Sequence, residues 1–171
     1  MRDVLSHDEL KALLLEAGVV EKKDLELAEE RYASEQGSFT QALLWFNFIS
    51  DDQLGRLIAD HLQVPFVVLA QESIPPQVLD LVSEVVARRH HIIPFRKTKS
   101  GLDLAMLDPR NLELANFLER KIGLPIRRFY ATERDIHEAL ARYHTSAPKA
   151  IEEMLAESIH QIGTATIADV D

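Results

Sequence analysis

Apolar residues recur at helical spacing throughout residues 1–63, and no alternating run interrupts them. One stripe comprises Leu10, Leu13 and Leu14, and a second comprises Leu25, Ala28 and Tyr32. Apolar positions three and four residues apart lie on one face of a helix. The pattern therefore predicts an all-helical region that ends near Pro65.

The helical region contains an approximate internal repeat with a shift of 29 residues. The shift places Leu14 on Leu43 and Gly18 on Asn47. Glycine and asparagine are the residues that best tolerate the left-handed backbone that ends a helix. Each copy is therefore predicted to be a helix, a turn and a second helix, although two unrelated helical hairpins would share this periodicity.

Short apolar runs and turn signals replace the helical pattern after residue 64. Strands are predicted at 65–69, 91–96, 102–107 and 124–130, and helices at 76–89, at 111–122 and after Thr132. Lys99-Ser100-Gly101 supplies a turn between the second and third strands. The predicted fold class is α+β: an N-terminal all-helical region of two helix-turn-helix repeats, then a small mixed sheet with helices in the order strand-helix-strand-strand-helix-strand-helix.

The chain divides into three predicted segments. Residues 1–63 form the helical repeat region and residues 64–144 the α/β module. Residues 145–171 are predicted to be a linker around Pro148, an amphipathic helix with Ile151, Leu155 and Ile159 on one face, and a polar tail.

Composition limits the kinds of site and segment that this chain can contain. The chain has 171 residues, 46% of them hydrophobic, and no cysteine, which excludes disulfides and cysteine-based metal sites. The N-terminus lacks the apolar core of a signal peptide, and no apolar run approaches the roughly 20 residues needed to span a bilayer. We expect a cytoplasmic protein without direct membrane insertion.

The net charge of −9 is unevenly distributed. Residues 1–87 contain 6 Lys and Arg against 16 Asp and Glu, residues 88–134 contain 11 against 5, and residues 135–171 contain 2 against 7. A basic block of this kind binds phosphates, an acidic partner or the acidic part of its own chain. Its residues alternate along predicted strands and lie at helix ends, which favours a structural role and argues against nucleic acid as a ligand.

No nucleotide triphosphatase signature is present. None of the six glycines is followed by Lys-Ser or Lys-Thr, so the phosphate-binding loop of such enzymes is absent from this sequence. The sequence predicts no catalytic residue, no cofactor-binding residue and no metal ligand.

The histidines and two aspartates are the remaining candidates for chemistry. His90 and His91 are adjacent at a predicted strand start, so they should point to opposite faces, and His137 lies two helical turns from His144. Neither pair suits a metal. Asp103 should face solvent from a strand whose alternate residues are apolar.

Asp108 precedes Pro109 in a strand-to-helix turn, where aspartate ordinarily hydrogen-bonds its own backbone and caps a helix. A structural role is therefore expected for this carboxylate as well.

Two sequence phrases carry a family resemblance. The first is Leu102-Asp103-Leu104-Ala105-Met106-Leu107-Asp108-Pro109-Arg110-Asn111, and the second is Ala131-Thr132-Glu133-Arg134-Asp135-Ile136. Together with the Val64-Pro65 strand start, they resemble the N-terminal domain of type II secretion and type IV pilus assembly ATPases, over roughly residues 8 to 144. The resemblance implies that this chain corresponds to the domain that precedes the ATPase motor.

Some ATPases of this family carry two helical motifs, each beginning R-L-G and continuing L-L-x-x-x-G, which together wrap cyclic di-GMP. At the arginine positions this chain has Glu9 and Ser38, and at the early glycine positions Lys11 and Thr40. A carboxylate repels a phosphate, whereas an arginine pairs with it strongly. Cyclic di-GMP is therefore a disfavoured ligand. Trp45 is expected in the core, beside Leu43 and Leu44.

The resemblance and the absent chemistry together predict a non-catalytic interaction or regulatory module. Its expected partners are proteins of a secretion or pilus machine, either an inner-membrane platform protein or the motor ATPase, so that it would be peripheral to the inner membrane through a protein. The alternative is a cyclic di-GMP sensor. The sequence leaves open whether the chain is complete or part of a longer ATPase.

Overall fold

The computed structural model describes residues 4–34 and 38–143. Eight α-helices and three strands lie in these ranges, which confirms the α+β class. They are α1 (His7–Ala17), α2 (Lys22–Ser34), α3 (Phe39–Trp45), α4 (Asp51–His61), α5 (Pro76–Leu79), α6 (Glu84–His90), β1 (Ile92–Thr98), β2 (Gly101–Met106), α7 (Leu112–Ile122), β3 (Ile126–Tyr130) and α8 (Glu133–Leu140).

The first four helices form the two predicted pairs. Gly18 and Asn47, which the 29-residue shift superimposes, both adopt the left-handed conformation, with φ of 62° and 56°. The second helices of the pairs begin at Lys22 and Asp51, also 29 residues apart. Backbone conformation at the turns therefore repeats along with the sequence pattern.

The predicted apolar stripes of α1 and α2 face the core of the helical region. Leu10 and Leu14 of α1 and Leu25 and Ala28 of α2 are buried, whereas Tyr32 remains 41% exposed. The buried residues of α3 and α4 complete the same cluster, and Tyr130 of β3 joins it from the α/β module. Tyr130 thus packs between the two parts of the fold.

The sheet has the order β1-β2-β3, with an antiparallel β1–β2 hairpin and a parallel β2–β3 pair. α7 connects the two parallel strands and packs on β3, while α5, α6 and α8 pack on β1. Every residue of the central strand β2 is buried. β2 is therefore the core of the module.

Gly101 opens β2 at a point where two backbones nearly touch. A Cβ at this position would lie 2.2 Å from the carbonyl oxygen of Pro125, and Leu102 N–H donates to that oxygen at 2.8 Å. Its φ of 150° also favours glycine. The backbone just before β3 is thus in direct contact with the start of β2, next to the hairpin turn.

The predicted strand at 65–69 was wrong. Only Phe66 forms a bridge, to Tyr130, and a short 3-10 helix occupies Leu69–Gln71. Val67 N–H donates to the Tyr130 carbonyl and Tyr130 N–H donates to the Pro65 carbonyl. Proline lacks an N–H, so the pairing does not extend further toward the N-terminus at this edge.

The predicted helix at 76–89 is two helices, α5 and α6. Ser83 has extended backbone angles, φ −62° and ψ 145°, and it precedes α6. Val82 at the break is buried, and the Tyr143 hydroxyl lies 3.1 Å from its carbonyl oxygen. Burial of Val82 and its contact with Tyr143 favour this break over a continuous helix.

Most other boundaries lie within two residues of the predicted ones. β1 begins after His91 because His91 takes the left-handed conformation that ends α6. Asn111 caps α7 and does not belong to it, since its Oδ1 accepts from Leu114 N–H at 3.1 Å. Thr132 caps α8 as predicted.

The prediction that Asp103 faces solvent was wrong, since Asp103 is only 2% exposed. Arg127 donates to both carboxylate oxygens at 3.0 Å, and Arg96 Nε lies 3.2 Å from Oδ2. Both arginines are paired opposite Asp103 in the sheet register, one on each neighbouring strand. Long side chains of β1 and β3 thus cover a polar position of β2.

Asp135 of α8 is a second buried carboxylate, only 3% exposed. Its Oδ2 accepts from Leu69 N–H at 2.8 Å and so fixes the 3-10 helix to α8. Burial raises the pKa of Asp135; the Leu69 N–H opposes this shift, and the nearby Asp51 carboxylate adds to it.

The three-segment division stays a prediction. Separate clusters of buried apolar side chains occupy the helical region and the α/β module. The predicted linker, helix and tail at 145–171 lie outside the described residues. Across the described parts of the chain, no helix has the length and apolar character required to span a membrane.

Asp103→Asn should lower the free energy of unfolding by about 2 kcal/mol, because two arginines lose their charged acceptor. The loss is below that of a fully buried pair, since Arg96 and Arg127 remain 47% and 64% exposed. Asp108→Asn, at a half-exposed carboxylate, is the matched control and should cost less than about 0.5 kcal/mol. Urea unfolding measures both, and equal losses would contradict the covered ion pair.

Asp135→Asn should change how stability depends on pH. The raised pKa means that folded Asp135 keeps its proton at pH values where the unfolded chain, with a pKa of about 3.9, has lost it. The contribution of Asp135 is therefore fully present at low pH and is lost as pH rises through the folded pKa. The stability of the wild type relative to Asp135→Asn should fall as the pH rises above about 4. A difference that is constant or rises with pH would contradict the shift.

Candidate functional site

A cavity of about 350 Å³ lies where the helical region meets the α/β module. This junction cavity has a volume within the range of small-molecule pockets. Its apolar lining includes Leu10, Leu44, Leu54, Ile58 and Leu107. Its polar lining residues are Thr40, Gln41, Asp51, Thr132, Glu133, Arg134 and His137. Both repeats and α8 therefore contribute to one concave surface.

Asp51 organises the polar side of the junction cavity. The Thr132 hydroxyl donates to Asp51 Oδ2 at 2.7 Å, and Arg134 Nη2 lies 3.3 Å from the same oxygen. α4 approaches closely here because residue 55 is glycine: a Cβ would lie 2.5 Å from the Phe66 ring and 2.9 Å from the Thr132 methyl group. The carboxylate of α4 is thus already satisfied by the N-terminus of α8.

Glu9 of the first repeat takes part in helix capping. Ser6 caps α1, and Glu9 accepts from both the Ser6 N–H and the Ser6 hydroxyl at 2.8 Å. The Ser6 backbone N–H lowers the pKa of Glu9 most, followed by the Ser6 hydroxyl. Lys11 donates to Glu29 of α2 at 2.8 Å. The lowered pKa favours the ionised form of the Glu9 carboxylate at this cap.

The second repeat also begins with a capping box, which is formed by uncharged side chains. Ser38 caps α3 by accepting from Gln41 N–H at 3.1 Å, and Gln41 accepts from Ser38 N–H at 3.1 Å. Thr40 and Gln41 both line the junction cavity. This repeat brings hydrogen-bonding groups, but no positive charge, to the cavity.

Trp45 is not in the core, contrary to the prediction: it is 61% exposed. The buried residues of α3 are Phe39, Ala42 and Leu43. Residue 45 lies two positions beyond Leu43, about 200° around the helix, so it points away from that stripe. The angular position of Trp45 on α3 therefore indicates exposure, although its apolar neighbours in the sequence suggested burial.

Trp45 belongs to a connected row of aromatic rings. The Arg31 guanidinium lies 3.7 Å from the Trp45 ring centroid, the Trp45 and Phe46 centroids are 4.8 Å apart, and Phe46 stacks on Phe48 at 5.1 Å. We name these four residues the aromatic surface. An exposed tryptophan stacked by arginine has the chemistry of a protein-binding hot spot.

The aspartate and histidine candidates from the sequence take part in turns and helix ends. Asp108 accepts from the Arg110 backbone at 3.1 Å, as predicted, but the cap of α7 is Asn111. His90 ends α6 and His91 follows it, so the pair does not start a strand. Within residues 4–34 and 38–143, no three or more acidic or histidine side chains form a group suited to a metal. His144 lies outside those ranges.

Comparison with known proteins places this geometry in a family. The model of the MshEN domain family matches residues 62–150. The type IV pilus assembly ATPase PilB of Myxococcus xanthus is 25% identical over 148 residues, 86% of this chain and 26% of the relative. The PilB ATPase of Thermus thermophilus is 28% identical over 137 residues, 79% of this chain and 15% of the relative. The chain thus matches about a quarter or less of the length of these ATPases.

Solved structures show the same architecture. The structure of MshE with cdg (cyclic di-GMP) has a TM-score of 0.60 and 26% identity, covering 78% of this chain and 97% of that chain. The N-terminal domain of XpsE shares the fold, with a TM-score of 0.53 and 19% identity, covering 84% and 97%. Because the family match covers more than half of the residues, the chain belongs to the MshEN domain family, the N-terminal domain of type IV pilus and type II secretion ATPases.

Proposed function

We propose that this chain is a non-catalytic interaction and regulatory module of a type IV pilus or type II secretion system. The observation that carries the proposal is the aromatic surface. Its Trp45 exposes 61% of its area, and Arg31 stacks on that ring at 3.7 Å. Tryptophan and arginine are the residues most enriched at binding hot spots, and burying such a ring on a partner removes much apolar area from water.

The glycine positions support a non-catalytic role. Phosphate-binding loops place glycine between a strand and the N-terminus of a helix. Of the four described glycines, Gly18 and Gly123 end helices, Gly101 follows the hairpin turn and Gly55 lies inside α4. None of these four glycines lies between a strand and the start of a helix, so the cradle for β- and γ-phosphates has no counterpart at these positions.

The partner in this proposal is a protein of the machine, either the inner-membrane platform protein or the motor ATPase. The chain would then be cytoplasmic and reach the inner membrane only through that protein. Charge supports a protein partner: the segment that carries the aromatic surface is acidic and residues 88–134 are basic. A surface with both signs steers an oriented encounter.

A second candidate function, a cyclic di-GMP sensor, is favoured by the junction cavity. Thr40, Gln41 and Leu44 of the second repeat line it, as do Arg134 and His137. MshE, 26% identical, has been solved with this dinucleotide. Against it stand the Glu9 carboxylate and the capping roles of Ser6 and Ser38. We therefore keep it second.

Trp45→Ala should weaken capture of the partner at least tenfold, because the largest exposed ring of the aromatic surface is removed. Val85→Ala, at a 75% exposed residue of α6, is the control and should bind as the wild type does. Pull-down and titration against the platform protein and the motor ATPase of the host measure the effect. Unchanged capture by Trp45→Ala would refute the surface as the docking site.

Titration calorimetry with cyclic di-GMP should show weak binding or none in the wild type. Glu9→Arg combined with Ser38→Arg should bind more tightly, by about tenfold to a hundredfold for each arginine–phosphate contact. Loss of the Ser38 cap costs about 1 kcal/mol, so circular dichroism must first confirm folding.

Tight binding by the wild type would instead make the sensor the primary function. ATP serves as the parallel ligand and should leave the melting temperature unchanged. A saturable shift with ATP would contradict the non-catalytic role.

A further inference from the structure

The segment that leads into α1 forms part of the wall of the junction cavity. Val4 and Leu5 both line the cavity, and they are only 7% and 2% exposed. We name these two residues the strap. Ser6, which follows the strap, has extended backbone angles, φ −64° and ψ 159°, and caps α1. The strap therefore lies outside the helical hydrogen bonding of α1.

An arginine of the α/β module holds the strap in place. Arg110 Nη2 donates to the Val4 carbonyl. Arg110 lies in the turn between β2 and α7, where Asp108 Oδ1 accepts from its Nε at 3.0 Å and from its backbone N–H at 3.1 Å. Among the described residues, no second hydrogen bond reaches the backbone of Val4 or Leu5. The hydrogen bonding of the strap thus depends on a side chain that is itself half exposed.

The strap can leave its place without unfolding of the helical region. Val4 and Leu5 belong to the cluster of buried side chains in this region, but residues of all four helices make up the rest of that cluster. Exposing two side chains costs less free energy than exposing the whole cluster. Local openings of this kind occur well below the free energy of global unfolding.

We propose that the strap is a movable wall of the junction cavity and that Arg110 keeps it closed. With the strap closed, the cavity has a volume of about 350 Å³, near the lower end of the range for small-molecule pockets. Displacement of Val4 and Leu5 opens the cavity on that side and exposes its apolar lining, which includes Leu44 and Leu54, to larger ligands. The inference concerns access to the cavity and is independent of the aromatic surface.

The chain contains no cysteine, so an introduced thiol reports directly on opening of the strap. Leu5→Cys places the thiol on the strap, and Leu14→Cys places it at a fully buried position of α1. A reagent modifies a buried thiol only after the surrounding structure opens. Leu5→Cys should react at least tenfold faster than Leu14→Cys, because the strap opens while α1 stays folded. Equal rates would overturn the proposal.

Arg110→Ala tests how the strap is held. Loss of a hydrogen bond from a charged donor should accelerate labelling of Leu5→Cys by about tenfold to a hundredfold and leave labelling of Leu14→Cys unchanged. Arg120→Ala is the matched control, since Arg120 also donates to a backbone carbonyl, that of Asn116 in its own helix, at 3.3 Å. The control should change neither rate. No acceleration by Arg110→Ala, or equal acceleration at both thiols, would overturn the role of Arg110.

An uncharged apolar dye, N-phenyl-1-naphthylamine, tests access to the cavity. The dye should bind Arg110→Ala about tenfold more tightly than the wild type, because apparent affinity follows the population of the open state. Adding Trp45→Ala should leave this gain unchanged, since the dye enters the cavity and does not depend on the aromatic surface. Circular dichroism confirms that each variant is folded, and Val4→Cys replaces Leu5→Cys if the latter is not. Faster labelling without tighter dye binding, or a gain that Trp45→Ala abolishes, would overturn the control of access.

Discussion

The position of the helical region on the α/β module depends on one shared carboxylate. Asp51 begins α4, and its Oδ2 accepts a hydrogen bond from the Thr132 hydroxyl and lies beside Arg134. Thr132 also caps α8 by accepting from Asp135 N–H at 3.3 Å. The end of β3, the start of α8 and the start of α4 are therefore tied by a few polar atoms. The junction cavity is the space enclosed around this contact, and its walls would separate if α4 moved.

In both helical repeats, polar side chains near the start of the first helix are used as helix caps. In each one, the serine that starts the helix and the Glu or Gln three residues later satisfy backbone N–H groups that would otherwise lack partners. Glu9 is committed to such a cap, and its charge has the sign of a phosphate group. The side chain of Glu9 therefore takes part in starting α1.

Features set by local backbone chemistry were predictable from the sequence. The left-handed turns at Gly18 and Asn47, the hairpin before Gly101 and the cap at Thr132 follow from the conformations these residues prefer. The family resemblance rested on β2 and the start of α8, which lie inside the matched range of residues 62–150.

What sequence reasoning missed depends on neighbours distant along the chain. Asp103 is buried because Arg96 and Arg127 stand opposite it in the register, which no pattern within β2 reveals. The predicted helix is interrupted at Val82, where the hydroxyl of Tyr143, beyond the end of α8, donates to the Val82 carbonyl. The junction cavity exists only once α4 and α8 are packed together, so no single segment encodes it. Trp45 was a different kind of error, since its angular position on α3 was readable but was outweighed by its apolar neighbours.

The mixed sheet also determines the order in which the molecule can assemble. The β1–β2 hairpin closes a short loop, whereas β3 must return across α7 to pair in parallel with β2, a contact with a larger entropic cost. The close approach of Gly101 to Pro125 is made only when β3 arrives. Because β3 carries Tyr130 and leads directly into the cap at Thr132, the surface that receives the helical region is expected to form last. Packing of the helical region on the α/β module would then require β3 to be in place.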